Sequence, residues 1–274
     1  MSTPMSDAGR GRGWRCATAL AGALALASLG LSPVNGPSAA EANDDPTAIF
    51  AAAFTAYASG NIAVALQRYK RAAELGHLPA SWKLARMYES GEGVDRSEAL
   101  AHETYRAIAE RYGSIRPGDR DAVYVASAFV RLGDYARLGV PGHFKPDRVL
   151  ARRAYFYAAS YFGDADAQFE LGRMMIEDDG VGPALRNGLR WLKSAADKGD
   201  ARASAMLGSA LYEGRGVTAR PVEGLAMMIR AASAVREADR EWVAALLDDT
   251  LAGASIDTVR AARALATEVV EGST

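Results

Sequence analysis

Residues 199–233, GDARASAMLGSALYEGRGVTARPVEGLAMMIRAAS, decide how the rest of the chain reads. Their apolar positions recur at helical spacing on either side of a glycine-rich turn, which predicts two short helices. The first carries Leu207-Gly208, Leu211 and Gly214; the second follows Pro221 and ends on the small pair Ala231-Ala232. One helical hairpin cannot bury its apolar face alone, so units of this kind must stack on copies of themselves. Function is then to be sought on the surface of the stack.

Earlier copies are present. Leu171-Gly172 and Met175 open a fourth one, in which Asp178 stands where a helix-ending glycine is expected, Gly180 and Gly182 are displaced, and Trp191, Ala195 and Ala196 line the second helix. The third has Leu132-Gly133, Ala136 and Gly139. Its second helix, over about 147–162, is aromatic at Tyr155, Phe156, Tyr157, Tyr161 and Phe162. Helical spacing makes these aromatics, with Trp82, Phe169 and Trp191, candidates for core rather than for a ligand platform. Val140-Pro141-Gly142-His143-Phe144-Lys145-Pro146 exceeds what a minimal repeat needs and reads as an inserted surface feature. Residues 112–120 read as a longer loop.

The second copy is the cleanest. Leu84-Ala85, Tyr88 and Gly91 match the quoted stretch, and Gly91-Glu92-Gly93-Val94 aligns with Gly214-Arg215-Gly216-Val217. Paired glycines suit positive φ, after which valine re-enters the core. A second helix follows over about 97–111. The first copy predicts helices at about 47–58 and 62–75, with Asp45 as N-cap and Pro46 at the first helical position. Ala53, Phe54 and Tyr57 share one side of the first helix; Ala65, Leu66, Tyr69, Ala72 and Ala73 run along the second. Stretches at about 238–250 and 256–270 lack the glycine turn and read as caps on the last repeat. No segment alternates at period two for long enough to argue a strand. The expected fold is all-α: about five hairpins over residues 43–235, then capping helices over 236–274.

The 274 residues, 49% hydrophobic and 24% charged, fit a globular chain with a sizeable core. A formal charge of −1 with both signs interspersed argues against a nucleic-acid partner. The N-terminus differs in kind. Arg10, Arg12 and Arg15 precede an uncharged run from Cys16 to Leu31, and Ser38-Ala39-Ala40 or Ala40-Glu41-Ala42 offers a cleavage site. Residues 1–42 therefore read as a signal peptide, with an uncleaved anchor as the alternative, and no membrane insertion is expected after its removal. Cleavage removes three positive and two negative residues, moving the charge from −1 to −2, and takes away the one cysteine. An exported, disulfide-free fold held by packing is the result.

Catalytic patterns are missing. His77, His102 and His143 have no metal-ligand spacing around them. Glu177-Asp178-Asp179 and Asp248-Asp249 read as solvated helix ends, and the glycine pairs follow helices rather than strands, unlike phosphate loops. No Gly-x-Ser-x-Gly elbow occurs. No enzyme activity, cofactor or metal is expected. In stacked hairpins the first helices line the concave side. Counting two before and two or five after each Leu-Gly pair selects Trp82, Arg86 and Glu89; Asp134 and Arg137; Phe169, Arg173 and Ile176; and Tyr212 as candidate protein-binding residues. An apolar strip with mixed charge suits a protein partner.

The recurring Ala-x-x-x-Leu-Gly-x-x-Tyr-x-x-Gly-x-Gly-Val signature, carried by Ala80/Leu84/Tyr88/Gly91/Gly93/Val94 and Ala203/Leu207/Gly208/Gly214/Gly216/Val217, resembles Sel1-like repeats, relatives of tetratricopeptide repeats. That implies a right-handed α-solenoid. Ala65-Leu66…Ala72-Ala73, Gly139-Val140-Pro141-Gly142, the run Ala154 to Gly163, and Ala167 to Met174 together resemble the ExoR family of alphaproteobacteria. The resemblance implies a periplasmic regulator that binds the periplasmic domain of a sensor histidine kinase of the ExoS–ChvI type, holds it inactive and so restrains exopolysaccharide synthesis. Proteolysis of the inhibitor, by a periplasmic protease, releases the kinase. It carries over no contact residue. A generic periplasmic scaffold for an envelope or polysaccharide-export complex shares every other feature. A Sel1-type hydrolase is disfavoured, because such proteins are cysteine-rich.

Overall fold

The computed structural model describes residues 45–179 and 181–271; the expected signal peptide at 1–42 and Gly180 lie outside them. Five helical pairs follow one another: α1 (Pro46–Ala58) and α2 (Ile62–Glu74), α3 (Leu78–Ser90) and α4 (Glu98–Tyr112), α5 (Ala122–Leu138) and α6 (Arg148–Tyr157), α7 (Ala165–Asp179) and α8 (Gly182–Ala196), α9 (Ala201–Glu213) and α10 (Pro221–Ala234). Then α11 (Arg240–Gly253) packs on α9 and α10, and α12 (Ile256–Glu271) packs on α10. The fold is an all-α solenoid. Among the described residues the one β-type pairing is an isolated bridge, Val140 to Phe144.

Start signals act where the sequence put them. Asp45 accepts from the Thr47 and Ala48 amides at 3.0 and 3.3 Å, and Ser97, Asp147 and Asp200 cap α4, α6 and α9 in the same way. Gly91 and Gly214 end α3 and α9 at φ 77° and 72°, in the left-handed region that L side chains avoid.

The hairpins close on small residues. Gly208 of α9 and Gly224 of α10 face each other so closely that a Cβ on Gly208 would lie 2.7 Å from the Gly224 carbonyl oxygen; Gly172 and Gly188 repeat this at 2.8 Å. Ala85 and Ala101, both fully buried, occupy the corresponding places in the second pair. One turn on, each second helix buries one large side chain: Tyr69, Tyr105, Tyr155, Leu192 and Met228. A small residue followed four later by a large one places both on one helical stripe. In the third pair the Tyr155 ring lies against Gly133, where a Cβ would come within 2.5 Å of it.

Neighbouring pairs are tied at one repeat length. Tyr57 donates to Glu92 (2.5 Å), Tyr112 to the Gly76 carbonyl (2.7 Å), Lys198 to the Gly163 carbonyl, and Arg202 to Asp166, each across 35 or 36 residues.

Three expectations need correction. Phe54 does not join Ala53 in the core: it is 60% exposed, and Phe50 packs inward beside Tyr57 instead. The helix expected over 147–162 stops at Tyr157 and passes into a π-turn, Ala158–Phe162, which closes at Gly163. Within its aromatic run Tyr155 is core, but Phe156 and Tyr161 are 55% and 39% exposed, because residues one and six positions on have rotated off the buried stripe. Asp178 is exposed at the end of α7, as expected, and in addition accepts from Arg148 and Arg152 of α6. The 140–146 loop is exposed at Pro141, Gly142 and His143, yet Val140 is buried and the Phe144 ring rests on His102 at 4.8 Å.

Candidate functional site

The first helices, α3, α5, α7 and α9, carry a ladder of charge. On α3, Arg86 donates to Glu89 at 3.2 Å. Glu89 also accepts from Tyr105 at 3.3 Å and lies 3.7 Å from Arg131 of α5. Arg131 continues to Asp134 at 3.1 Å, and Asp134 accepts the Tyr155 hydroxyl at 2.7 Å. Burial pushes the Tyr105 and Tyr155 hydroxyls well above their ordinary pKa, with the nearby carboxylates adding to it, so both remain donors.

A second run of the ladder begins on α7. Arg173 bridges Glu170 and Glu177. Arg202 of α9, buried over the Phe169 ring at 4.2 Å, donates to Asp166 and Asp200 and reaches within 4.0 Å of Glu170 and Asp239. Asp239 begins the cap, so this guanidinium fastens α7, α9 and α11 together. Burial opposes its charge, but the bonds to Asp200 and the surrounding carboxylates win, and its pKa is raised.

Between α5, α7, α9 and α11 these side chains border an open concavity of ≈ 710 Å³. Arg137, Phe169, Arg173, Met206, Trp242 and Asp249 are among its lining residues. The Arg137 Nε is buried and, among the described residues, has no hydrogen-bond partner.

The residues selected from sequence divide. Arg137, Phe169 and Arg173 come together on this concavity. Arg86, Glu89 and Asp134 belong to the ladder beside it. Trp82 donates to Ser127 at 3.0 Å and packs on Tyr124, which ties α3 to α5. Phe169 and Ile176, 3% and 8% exposed, are core side chains backing the face. Tyr212 lies apart, packed with Leu225 under α12. Sequence reasoning missed Glu170, Met206, Trp242 and Asp249. A tryptophan at the polar start of the cap was the available signal for Trp242.

Among the described residues no three of His, Cys, Asp and Glu converge as a metal requires. His77 instead caps α3, its Nδ1 accepting from the Ala80 amide at 3.2 Å while its ring stacks on Phe50. No described helix is long and apolar enough to cross a membrane.

Comparison with known proteins gives a consistent picture. The Sel1 repeat model matches residues 58–77, 78–111, 165–200 and 201–234. The exopolysaccharide production negative regulator of Rhizobium meliloti (strain 1021) is 36% identical over 218 residues, 79% of each chain. The protein of that name from Rhizobium leguminosarum bv. viciae is 33% identical, covering 83% of this chain and 84% of its own. Among solved structures, a protective antigen present in uropathogenic Escherichia coli strains superposes with TM-score 0.64 at 25% identity over 84% of this chain; the chain spans 46% of that antigen. A Sel1 repeat protein from Oxalobacter formigenes gives TM-score 0.57 at 26% identity, covering 70% of this chain and 74% of its own.

Proposed function

Since the chain belongs to the ExoR family of exopolysaccharide production negative regulators and is built on Sel1 repeats, we propose that it is a non-enzymatic periplasmic regulator, restraining exopolysaccharide production by docking its first-helix face on the periplasmic domain of an ExoS–ChvI-type sensor histidine kinase. The observation that carries this reading is the concavity walled by three successive first helices and the cap. Its charges are largely neutralised within the chain, so affinity must come from shape, aromatic contact and hydrogen bonds rather than net charge. Trp242 supplies an aromatic anchor, and Arg137 places a guanidinium on the wall of the concavity where a partner carboxylate or carbonyl could meet it. Arg86, Glu89, Asp134, Trp82 and Arg173 hold the face in register; Phe169 and Ile176 back it. Loss of the inhibitor to a periplasmic protease frees the kinase.

The test is calorimetric titration of the chain without residues 1–42 against the kinase's periplasmic domain. Saturable binding near one to one, weakened by Arg137→Glu and by Trp242→Ala, is expected. No heat and no co-elution at tens of micromolar, roughly −6 kcal/mol, would overturn the reading.

A further inference from the structure

The second helices carry a surface that the first-helix face leaves unused. Between α6 and α8 runs an open groove of ≈ 780 Å³ whose lining includes Val149, Phe156, Tyr157, Met175 and Trp191. Val149 and Phe156 are 63% and 55% exposed, and the Phe156 ring meets the Trp191 ring edge-on at 6.4 Å. Contiguous exposed apolar surface of this kind marks a binding site.

The rim of the groove is cationic. Arg152 is committed to Asp178, but Arg153 on one wall and Arg190 on the other have no ion-pair partner among the described residues. The positive character continues along α8, where Arg186, Arg190 and Lys193 border the next groove together with Arg220 and Arg230. The carboxylate lining that second groove, Asp197, is already bonded to Lys193 at 2.8 Å. The first-helix ladder pairs its own charges; this face leaves guanidiniums open on both sides of an apolar trough.

We propose that the α6–α8 groove is a docking site for an acidic amphipathic helix of a partner protein. Its apolar stripe would lie along Val149, Phe156, Met175 and Trp191, and carboxylates on either flank of the stripe would pair with Arg153 and Arg190. A helix of ten residues such as α6 is about 15 Å long, enough wall for an apolar stripe of three turns. Helix-in-groove recognition uses this arrangement of anchors at i, i+3, i+4 and i+7. The lining is mostly apolar, its uncharged polar groups being Asn187, Ser194 and the Tyr157 hydroxyl, which is already bonded to the Gly113 carbonyl; this suits a peptide better than a glycan needing dense hydrogen bonding. The site is walled by second helices, with Leu171 and Met175 contributed by α7, and shares no lining residue with the kinase-docking concavity, so either can fail without the other.

The test is fluorescence anisotropy of the purified chain with a labelled designed peptide of about 18 residues, leucines at i, i+3, i+4 and i+7 and glutamates on both flanks. Two control peptides have the same composition scrambled, or lysine in place of glutamate; polygalacturonate serves as a competitor. Saturable binding of the acidic amphipathic peptide is expected, with both controls at least about tenfold weaker. Phe156→Ser and the double variant Arg153→Glu/Arg190→Glu should each weaken it about tenfold with circular dichroism unchanged; Arg153→Gln/Arg190→Gln, milder in charge, should weaken it less but in the same direction. Equal binding of the scrambled peptide, indifference to these variants, absence of saturation, or displacement by polygalacturonate at lower concentration than unlabelled peptide would each overturn the proposal.

Discussion

Gly208→Ala should destabilise this fold even though alanine is the better helix former. The added methyl would sit 2.7 Å from the Gly224 carbonyl oxygen and 2.7 Å from the Met228 Cγ, well inside the 3.5–4.0 Å at which carbon contacts are favourable. The close approach is mutual and made by backbone, since a Cβ on Gly224 would itself lie 2.6 Å from the Tyr212 nitrogen of α9. Overpacking of this kind costs about 1–3 kcal/mol, and the gain from replacing a mid-helix glycine offsets up to about 1 kcal/mol of it. The expected net loss is about 1–2 kcal/mol, a fall in Tm of roughly 2–8 °C for a chain of this size. Gly253→Ala is the matched control. It closes α11, has ordinary φ and meets nothing within 4 Å, so it adds no clash and should leave Tm unchanged or slightly higher. Differential scanning calorimetry of both variants checks the pair. A Gly208→Ala protein at least as stable as Gly253→Ala would refute the argument that close helix approach selects the Leu-Gly signature.

Arg202→Met should cost about 3 kcal/mol in urea unfolding at unchanged m-value, because it strands the buried Asp200 carboxylate and unfastens the cap. Tyr155→Phe removes the 2.7 Å bond to Asp134 but keeps the ring against Gly133, so the same assay should register a loss of about 1–2 kcal/mol. Burial lowers the pKa of both His77 and His102 from 6.5, so below about pH 6.5 the unfolded chain binds more protons than the folded one. Their contribution to stability is therefore complete above that pH and is lost as pH falls toward the folded values; Tm measured between about pH 5 and 7 should rise with pH. His77→Asn keeps an acceptor at the α3 N-cap while removing one titration, and should flatten that slope.

Most of the repeat architecture could be read from single residues. Each glycine turn, each N-cap aspartate or serine and each small residue followed four later by a large one acts locally, and the chain repeats the instruction at a period near 36. The ladder was harder to read because its bonds join residues a full repeat apart, such as Arg202 to Asp166, or cross from a first helix to a second, such as Asp134 to Tyr155. Residue type and helical side place Arg86 and Arg173 on the face, but they say nothing of the carboxylates that already hold them. The α6–α8 groove carried a fainter signal. Phe156 and Trp191 stand next to the core residues Tyr155 and Leu192, and a step of one residue turns a side chain about 100° around the helix, out of the buried stripe. Reading the aromatic run as one cluster hid that alternation.

Hydroxyl-radical footprinting of the chain with and without the kinase's periplasmic domain tests directly whether the first helices and the cap form the regulatory docking face. The half-buried Trp82 and Trp242 report on the first-helix face, and Phe156 and Trp191 on the second. Slowed oxidation of Trp242 and Trp82 with Phe156 and Trp191 unchanged is the predicted result. Protection confined to Phe156 and Trp191, or none at saturating kinase domain, would contradict it.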